Sequence, residues 1–333
     1  MSMIGPYLVV GGAGFIGSHV VQALQRLGAQ VVVLDNLTTG HAAAVGSSTE
    51  VVQGDFGDAE LLRDLFGRHH FQGVFHFGAL SLVGASMKSP GDYWRVNVAK
   101  MITFLIEAER AGIKCIVYSS SAAVYGDPTT IPMPESHPLK PKSPYGSTKV
   151  AVERILSDFE AAHGMRSACL RYFNAAGSDP DGVIGEDHRP ESHLIPRAIL
   201  AAMGQEPSLP IYGTNYETPD GTCIRDYVHV CDLADGHIAA MQKLHDGASG
   251  LRLNLGSGQG HSVAEVLDAV HRVTSHPVPV IESGRRAGDP AVLVADVSEA
   301  KRQLNWTFER STLDQMVRDA WNWRKNNPNG YPN

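Results

Sequence analysis

Residues 7–17 read Tyr7-Leu8-Val9-Val10-Gly11-Gly12-Ala13-Gly14-Phe15-Ile16-Gly17, a short apolar run that empties into a glycine-rich turn. Val20, Val21, Leu24 and Leu27 then recur at helical spacing, and Gly28 marks the stop. A second apolar run, Gln30 to Leu34, ends in Asp35. Strand, glycine turn, helix, strand and acid, in that order, is what a dinucleotide requires. Glycines let the backbone turn tightly and approach a pyrophosphate, whose charge then lies at the helix N-terminus. An acid about 20 residues on accepts hydrogen bonds from a ribose 2′-hydroxyl and repels a 2′-phosphate, so Asp35 favours NAD over NADP. Gly11, Gly14, Phe15, Ile16, Gly17 and Asp35 are therefore the first expected cofactor residues.

The alternation continues outward from this unit. Strands are expected at residues 50–52, 73–77 and 114–119, and helices at 59–66 and 93–111. Strands spaced by helices predict an α/β fold, a Rossmann-type doubly wound parallel sheet with right-handed crossovers. Ligands of such sheets bind beyond the strand C-termini. Asp55 and Phe56 then face the adenine, and Phe77, Gly78 and Ala79 run along the phosphates and ribose. Asn97, early in the long helix, either bonds back to that loop or is an ordinary polar surface residue. Past Asn174 the periodicity loosens, and residues 179–189 are rich in Gly, Asp and Pro, which reads as a loop. The expected division is residues 1–176 for the dinucleotide domain and 177–333 for a smaller C-terminal α/β domain, with later segments free to return to the first.

Bulk properties narrow the function classes. The 333 residues carry a net charge of −7, with 43% hydrophobic and 19% charged residues. That balance argues against nucleic acid or an anionic membrane as the main partner. No apolar run approaches the ~18 residues of a membrane span, and no basic segment followed by a long apolar stretch opens the chain. A cytoplasmic protein is expected. Cys115, Cys169, Cys223 and Cys231 are scattered, which suits reduced core thiols. His188 and His193 flank Glu191, yet no helical i, i+4 frame unites them, so no metal is expected.

Two further stretches carry chemistry. Ser119-Ser120-Ser121 lies where the fifth strand ends, well placed for a substrate hydroxyl, although serines also build ordinary turns. Ser143-Pro144-Tyr145-Gly146-Ser147-Thr148-Lys149 opens a helix at Pro144. Tyr145 and Lys149 then stand about one turn apart on one face. A phenol titrates near ~10 and is a poor base unless a cation stabilises the phenolate. Alone, such a pair reads as an interfacial tyrosine beside a solvated lysine.

With the glycine turn, the serine run and Tyr145-x-x-x-Lys149 in one chain, the sequence resembles the extended short-chain dehydrogenase/reductase family and, within it, the UDP-hexose 4-epimerases. Matching segments span almost the whole chain. They include residues 11–19 (GGAGFIGSH), Asp35-Asn36-Leu37, 119–126 (SSSAAVYG), 143–149 (SPYGSTK) and 170–177 (LRYFNAAG). Residues 220–230 (DGTCIRDYVHV), 285–289 (RRAGD) and the terminal Gly330-Tyr331-Pro332 complete the set. The resemblance implies Tyr145 as catalytic base, Lys149 as its partner and Ser121 as the hydroxyl that assists proton transfer. It implies a retained NAD, held also by Asn36, Ser119, Tyr172, Tyr145 and Lys149. It gives Ser121, Tyr145, Asn174, His193 and Leu194 to the sugar, Tyr212 to the uracil, and Arg225 and Arg286 to the pyrophosphate. Asp289 goes to the uridine ribose, while Tyr227 and Leu293 complete the UDP-sugar site. Lys149 and the nicotinamide cation are both expected to lower the Tyr145 pKa.

Dehydratases and decarboxylases resembling this family keep acids where this chain has Ala122 and Ala123, so epimerisation is favoured. Leu293 stands where strict UDP-glucose/UDP-galactose enzymes have Tyr, which leaves UDP-N-acetylhexosamines and UDP-pentoses as alternative substrates. Ser81 replaces a lysine that some relatives keep near the cofactor. A non-catalytic nucleotide-sugar- or NAD-binding regulator is the alternative from another class. A homodimer is expected through helices 93–111 and 145–163.

Overall fold

A computed structural model describes residues 3, 5–286 and 288–332. Parts of the Met1–Val10 start and Ala287 of the RRAGD segment lie outside the described residues. The opening unit is β1 (Pro6–Val10), α1 (Phe15–Arg26) and β2 (Gln30–Asp35). It is followed by β3 (Glu50–Gln53), α2 (Ala59–Arg68), β4 (Gly73–His76) and α3 (Val83–Lys88). Next come α4 (Pro90–Tyr93), a π-helical turn (Trp94–Ala99), α5 (Lys100–Arg110) and β5 (Cys115–Ser121). Then α6 (Pro144–His163) and β6 (Arg166–Tyr172) complete the unit. Residues 93–111 thus form one stack of helical turns that begins earlier, at Pro90, and widens around Asn97.

The second half adds β7 (Asn174–Ala176), α7 (Leu194–Ala202), β8 (Leu209–Tyr212), β9 (Ile224–His229), α8 (Val230–His245) and β10 (Leu251–Leu255). It ends with β11 (Gly260–Ser262), α9 (Val263–Thr274), β12 (Val280–Ser283), β13 (Val292–Leu293), α10 (Ser298–Leu304) and α11 (Leu313–Asn326).

The main sheet has seven strands in the order β10-β6-β5-β4-β1-β2-β3, all parallel. Its strands are apolar on both faces because helices cover both. Leu8, Val10, Val74, Ile116 and Cys169 join one core with Leu62, Phe104 and Leu156 of the covering helices. Val9, Val33, Phe75, Val117 and Leu170 join the other with Val20, Leu24, Leu233 and Met241. The strand order reverses direction beside β1, so the crevice opens at the ends of β1, β4 and β5.

Residues 230–255, past the expected division at 176/177, belong to this sheet: α8 packs on it and β10 extends it next to β6. The remainder builds a smaller lobe. There β9 pairs with β7, β11 and β13, β8 pairs with β12, and α7, α9 and α11 share a third core. Residues 177–193 form neither helix nor strand, yet Ser178, Asp179, Ile184, Glu186 and Asp187 are buried.

Candidate active site

The glycine turn is a cradle that side chains would fill. Gly11 has φ +73°, and a Cβ there would lie 2.7 Å from the Gly78 backbone nitrogen. A Cβ on Gly17 would lie 2.2 Å from the Gly11 carbonyl oxygen, so α1 and β1 meet as closely as backbones allow. Gly14 is the N-cap of α1, and no side chain caps that end. Its first N–H groups are thereby left to an anion, next to Phe15 and Ile16. Asp35 ends β2 with its carboxylate oriented by two backbone donors, Ala13 N–H at 3.0 Å and Leu37 N–H at 2.8 Å. Burial pushes its pKa up while these two donors oppose the rise. The uncapped helix end, the glycine cradle and the fixed acid fit a dinucleotide. Asn36 follows and its Oδ1 accepts from Thr38.

The loops after the neighbouring strands meet this turn. Asp55 pairs with Lys100, and Phe56 sets its ring edge-on to His76 at 4.9 Å. Phe77 and Gly78 both bond to the Val10 carbonyl, which holds the Phe77-Gly78-Ala79 loop against the glycines. Asn97 is buried: its side chain accepts from Leu80 N–H at 2.8 Å and donates to Leu80 O at 3.0 Å. The same amide donates to Thr148 Oγ1 at 3.1 Å, tying the loop to α6. Thr148, which the sequence did not mark as functional, thus sits between Tyr145 and Lys149 as an anchor.

Ser143 caps α6 by accepting from Gly146 N–H at 3.1 Å, with Pro144 in the first turn. This starts the helix so that Tyr145 and Lys149 both lie buried, Lys149 against the end of β5. Lys149 is buried, and its ammonium donates to the Ser119 carbonyl at 2.6 Å. It stands 4.7 Å from the Tyr118 ring centre and 5.7 Å from that of Tyr145. Burial pushes the Lys149 pKa down to about 7. Ser121 stands beside the Tyr145 hydroxyl and accepts from Ala123 N–H at 3.2 Å. Burial nevertheless pushes Tyr145 up to about 12, with the Ser121 bond opposing. The expected lowering by Lys149 is thus corrected for the protein without its cofactor: desolvation wins, and Lys149 itself is easily neutralised.

The three serines have separate tasks. Ser119 Oγ bonds to the Tyr172 hydroxyl, and Ser121 faces Tyr145. Ser120 donates to Glu153 at 2.5 Å within a buried Glu153–Arg171 pair, so its role is packing.

The smaller lobe presents the expected substrate residues. Arg225 is held 2.5 Å from Asp289 and donates to Pro290 O at 2.8 Å. The Arg286 guanidinium lies 3.9 Å over the Tyr212 ring. Arg285, beside it, lies 4.2 Å over Tyr216, a tyrosine that the sequence did not single out. Asn174 donates to Asp226 O at 2.8 Å, and Tyr227 is buried on β9. Leu293 packs against the buried cluster of Val124, Tyr125 and Met133, as Ala122 and Val150 do, which links β13 to the turn beyond Ser121. His193 is the N-cap of α7, which starts at Leu194. Its ring pairs with Glu186, a buried acid that only the fold brings to it.

Comparisons with known proteins give the family. Residues 7–256 match the family described as "NAD dependent epimerase/dehydratase family". A UDP-glucose 4-epimerase of Halalkalibacterium halodurans is 49% identical over 97% of this chain and 97% of its own. The crystal structure of a UDP-glucose 4-epimerase from Brucella ovis in complex with NAD superposes with a TM-score of 0.93. It is 44% identical over 95% of this chain and 97% of that one. A UDP-glucose 4-epimerase of Stenotrophomonas maltophila, with bound NAD and formylated UDP-arabinopyranose, also reaches 0.93, at 39% identity over 97% and 99% of the two chains. The chain belongs to the NAD dependent epimerase/dehydratase family.

Proposed function

We propose that this protein is an isomerase that interconverts UDP-glucose and UDP-galactose by NAD-dependent epimerisation at C4 of the sugar. The observation that carries the reading is Tyr145, buried beside Ser121 and one helical turn from Lys149, whose ammonium lies 5.7 Å from the Tyr145 ring centre and bonds to the end of β5. Gly11, Gly14, Phe15, Ile16, Gly17, Asp35 and the loops at Asp55 and Phe77 would hold NAD. NAD held there would supply reversible hydride transfer at C4 of the sugar. As its phenolate, Tyr145 would take the proton of the 4-hydroxyl and later give it back, with Ser121 holding the hydroxyl in line. Lys149, held by the Ser119 carbonyl, stabilises the phenolate when it is charged.

Ala122 and Ala123 offer no carboxyl to expel water or to direct a second elimination, so the 4-keto sugar goes only back to an alcohol. Arg225 and Arg286 would hold the diphosphate, a pairing that suits the guanidinium fork. Asp289 now occupies Arg225 and would release it to the ribose and phosphates. Residues 1–176 would carry NAD and 177–333 the nucleotide sugar, with 230–255 buttressing the NAD sheet.

A second substrate class is supported by Leu293, which carries no hydroxyl and packs against the cluster of Val124, Tyr125 and Met133 just beyond Ser121. UDP-pentoses or UDP-N-acetylhexosamines would then also turn over. Dimer formation is supported by exposed Leu82, Val83, Met87, Trp94, Ile102 and Ile106 on α3 to α5. A cytoplasmic location suits the four free cysteines; among the described residues no helix is long and apolar enough to cross a membrane.

The test is incubation of purified protein, without added NAD, with UDP-galactose, UDP-N-acetylgalactosamine and UDP-arabinose in parallel, with products read by NMR. UDP-glucose from the first is expected. No product from any of them contradicts an enzyme and favours a regulator.

A further inference from the structure

The fold gathers four ionisable side chains that the proposed reaction does not use together. Glu186, His188, Glu191 and His193 each bring one donor atom to a common point, all within 4.8 Å of one another. His188 Nδ1 lies 3.1 Å from Glu186 Oε1 and 3.7 Å from Glu191 Oε2. His193 Nδ1 touches the same Glu186 oxygen and lies 3.7 Å from Glu191 Oε1. Metal–ligand bonds of about 2.0–2.2 Å place tetrahedral donors roughly 3.3–3.5 Å apart. Three of the separations, 3.1–3.7 Å, straddle that edge, whereas the direct His193–Glu186 contact is shorter and would open on binding.

The alignment of His188 is the second observation. Its Nδ1 is sealed from solvent and makes no aligned hydrogen bond, although a carboxylate oxygen is 3.1 Å away. A simple ion pair would point the N–H along that line. The two carboxylates are 4% and 7% exposed, so their charge needs a partner at close range. Glu191 is already oriented for the task, because its Oε1 accepts Ser192 N–H at 2.7 Å and His193 N–H at 2.9 Å. The His193 ring is half-exposed and leaves an entry path.

We propose that Glu186, His188, Glu191 and His193 form a binding site for one divalent transition-metal ion of the Zn²⁺ class. Two imidazoles and two carboxylates are borderline donors, which suit Zn²⁺ or Co²⁺ better than Mg²⁺ or Ca²⁺. The ion clamps residues 186–193 to the head of α7. Asp187 anchors the same segment to the chain's end, accepting from Tyr331 N–H at 3.0 Å. The site is structural and its metal binding does not rest on the epimerase reading, although the resemblance also gives His193 to the nucleotide sugar.

The test is equilibrium dialysis and visible spectroscopy of the full-length protein with Co²⁺, followed by Zn²⁺ competition. One Co²⁺ per chain is expected, with the intense absorption of four-coordinate cobalt, displaced by Zn²⁺. Saturating Zn²⁺ is expected to raise Tm by a few degrees, since a ligand binding only the folded state stabilises it. Glu191→Gln and His188→Ala are each expected to weaken binding at least ~10-fold, the scale of altered metal environments. Glu186→Gln gives the same result if it folds; the two more exposed positions keep the test valid if it does not. Unchanged Co²⁺ affinity in both variants, a weak six-coordinate spectrum, or no binding by wild-type protein would overturn the site. In each case the four groups are a hydrogen-bonded histidine–carboxylate cluster only.

Discussion

Tyr145 as the chain alone presents it is a neutral phenol, pushed to about 12, beside a lysine pushed down to about 7. Its replacement should therefore remove the base without removing the cofactor. Tyr145→Phe is expected to keep bound NAD, read by absorbance after denaturation, while kcat falls at least ~100-fold. Near-wild-type turnover would sink the assignment. Lys149 makes a second prediction. Its folded pKa lies below its ordinary 10.5, so between about pH 7 and 10.5 the unfolded chain binds more protons and stability rises with pH. The cost of burying the ammonium is full below about pH 7 and fades as pH climbs to 10.5. Cofactor-free Lys149→Met should therefore gain most over wild type in urea melts at pH 6.5 and least at pH 10. A gain independent of pH would refute the shift.

At the scale of elements, α1 and its glycine turn carry the cofactor claim. A Cβ on Gly17 would sit 2.2 Å from the Gly11 oxygen, both of them backbone, so neither side can yield cheaply. Gly17→Ala is expected to cost about 1–3 kcal/mol in overpacking and to release NAD, measured by denaturant melts and bound-cofactor content. Retained NAD at wild-type stability would mean the turn is not the cradle described. The same elements show what sequence could tell. The glycine turn, Asp35 and Ser143 to Lys149 were legible because their chemistry is local: caps, turns and side chains one helical turn apart. Asn97 stayed ambiguous because Leu80 and Thr148, its partners, are 17 and 51 residues away. The π-helical turn that aims it left no composition signal. Glu186 was missed for a related reason: residues 177–193 form no regular element, so no periodicity showed that its carboxylate meets His188 and His193. The Tyr145 shift was misjudged because burial, which no single stretch reveals, outweighs the neighbouring charge.

On the scale of the whole molecule, the large sheet brings the glycine turn and the serine run to one crevice, and the smaller lobe carries Arg225, Arg286 and Asp289. Its class was plain from alternation, but the return of α8 and β10 was not, since a strand's neighbours are fixed by pairing. The exposed apolar side chains on α3 to α5 predict self-association. Light scattering is expected to give about twice the 35.8 kDa chain mass, and Trp94→Glu to shift it toward one. A monomer mass for wild type at micromolar concentration would refute this. The central claim is that one sugar loses and regains its own C4 hydride within this crevice. It is tested most directly by converting UDP-[4-²H]galactose in ordinary water without added NAD. Full retention of deuterium at C4 of the UDP-glucose product is predicted. Loss of the label to water, or no conversion, would contradict it.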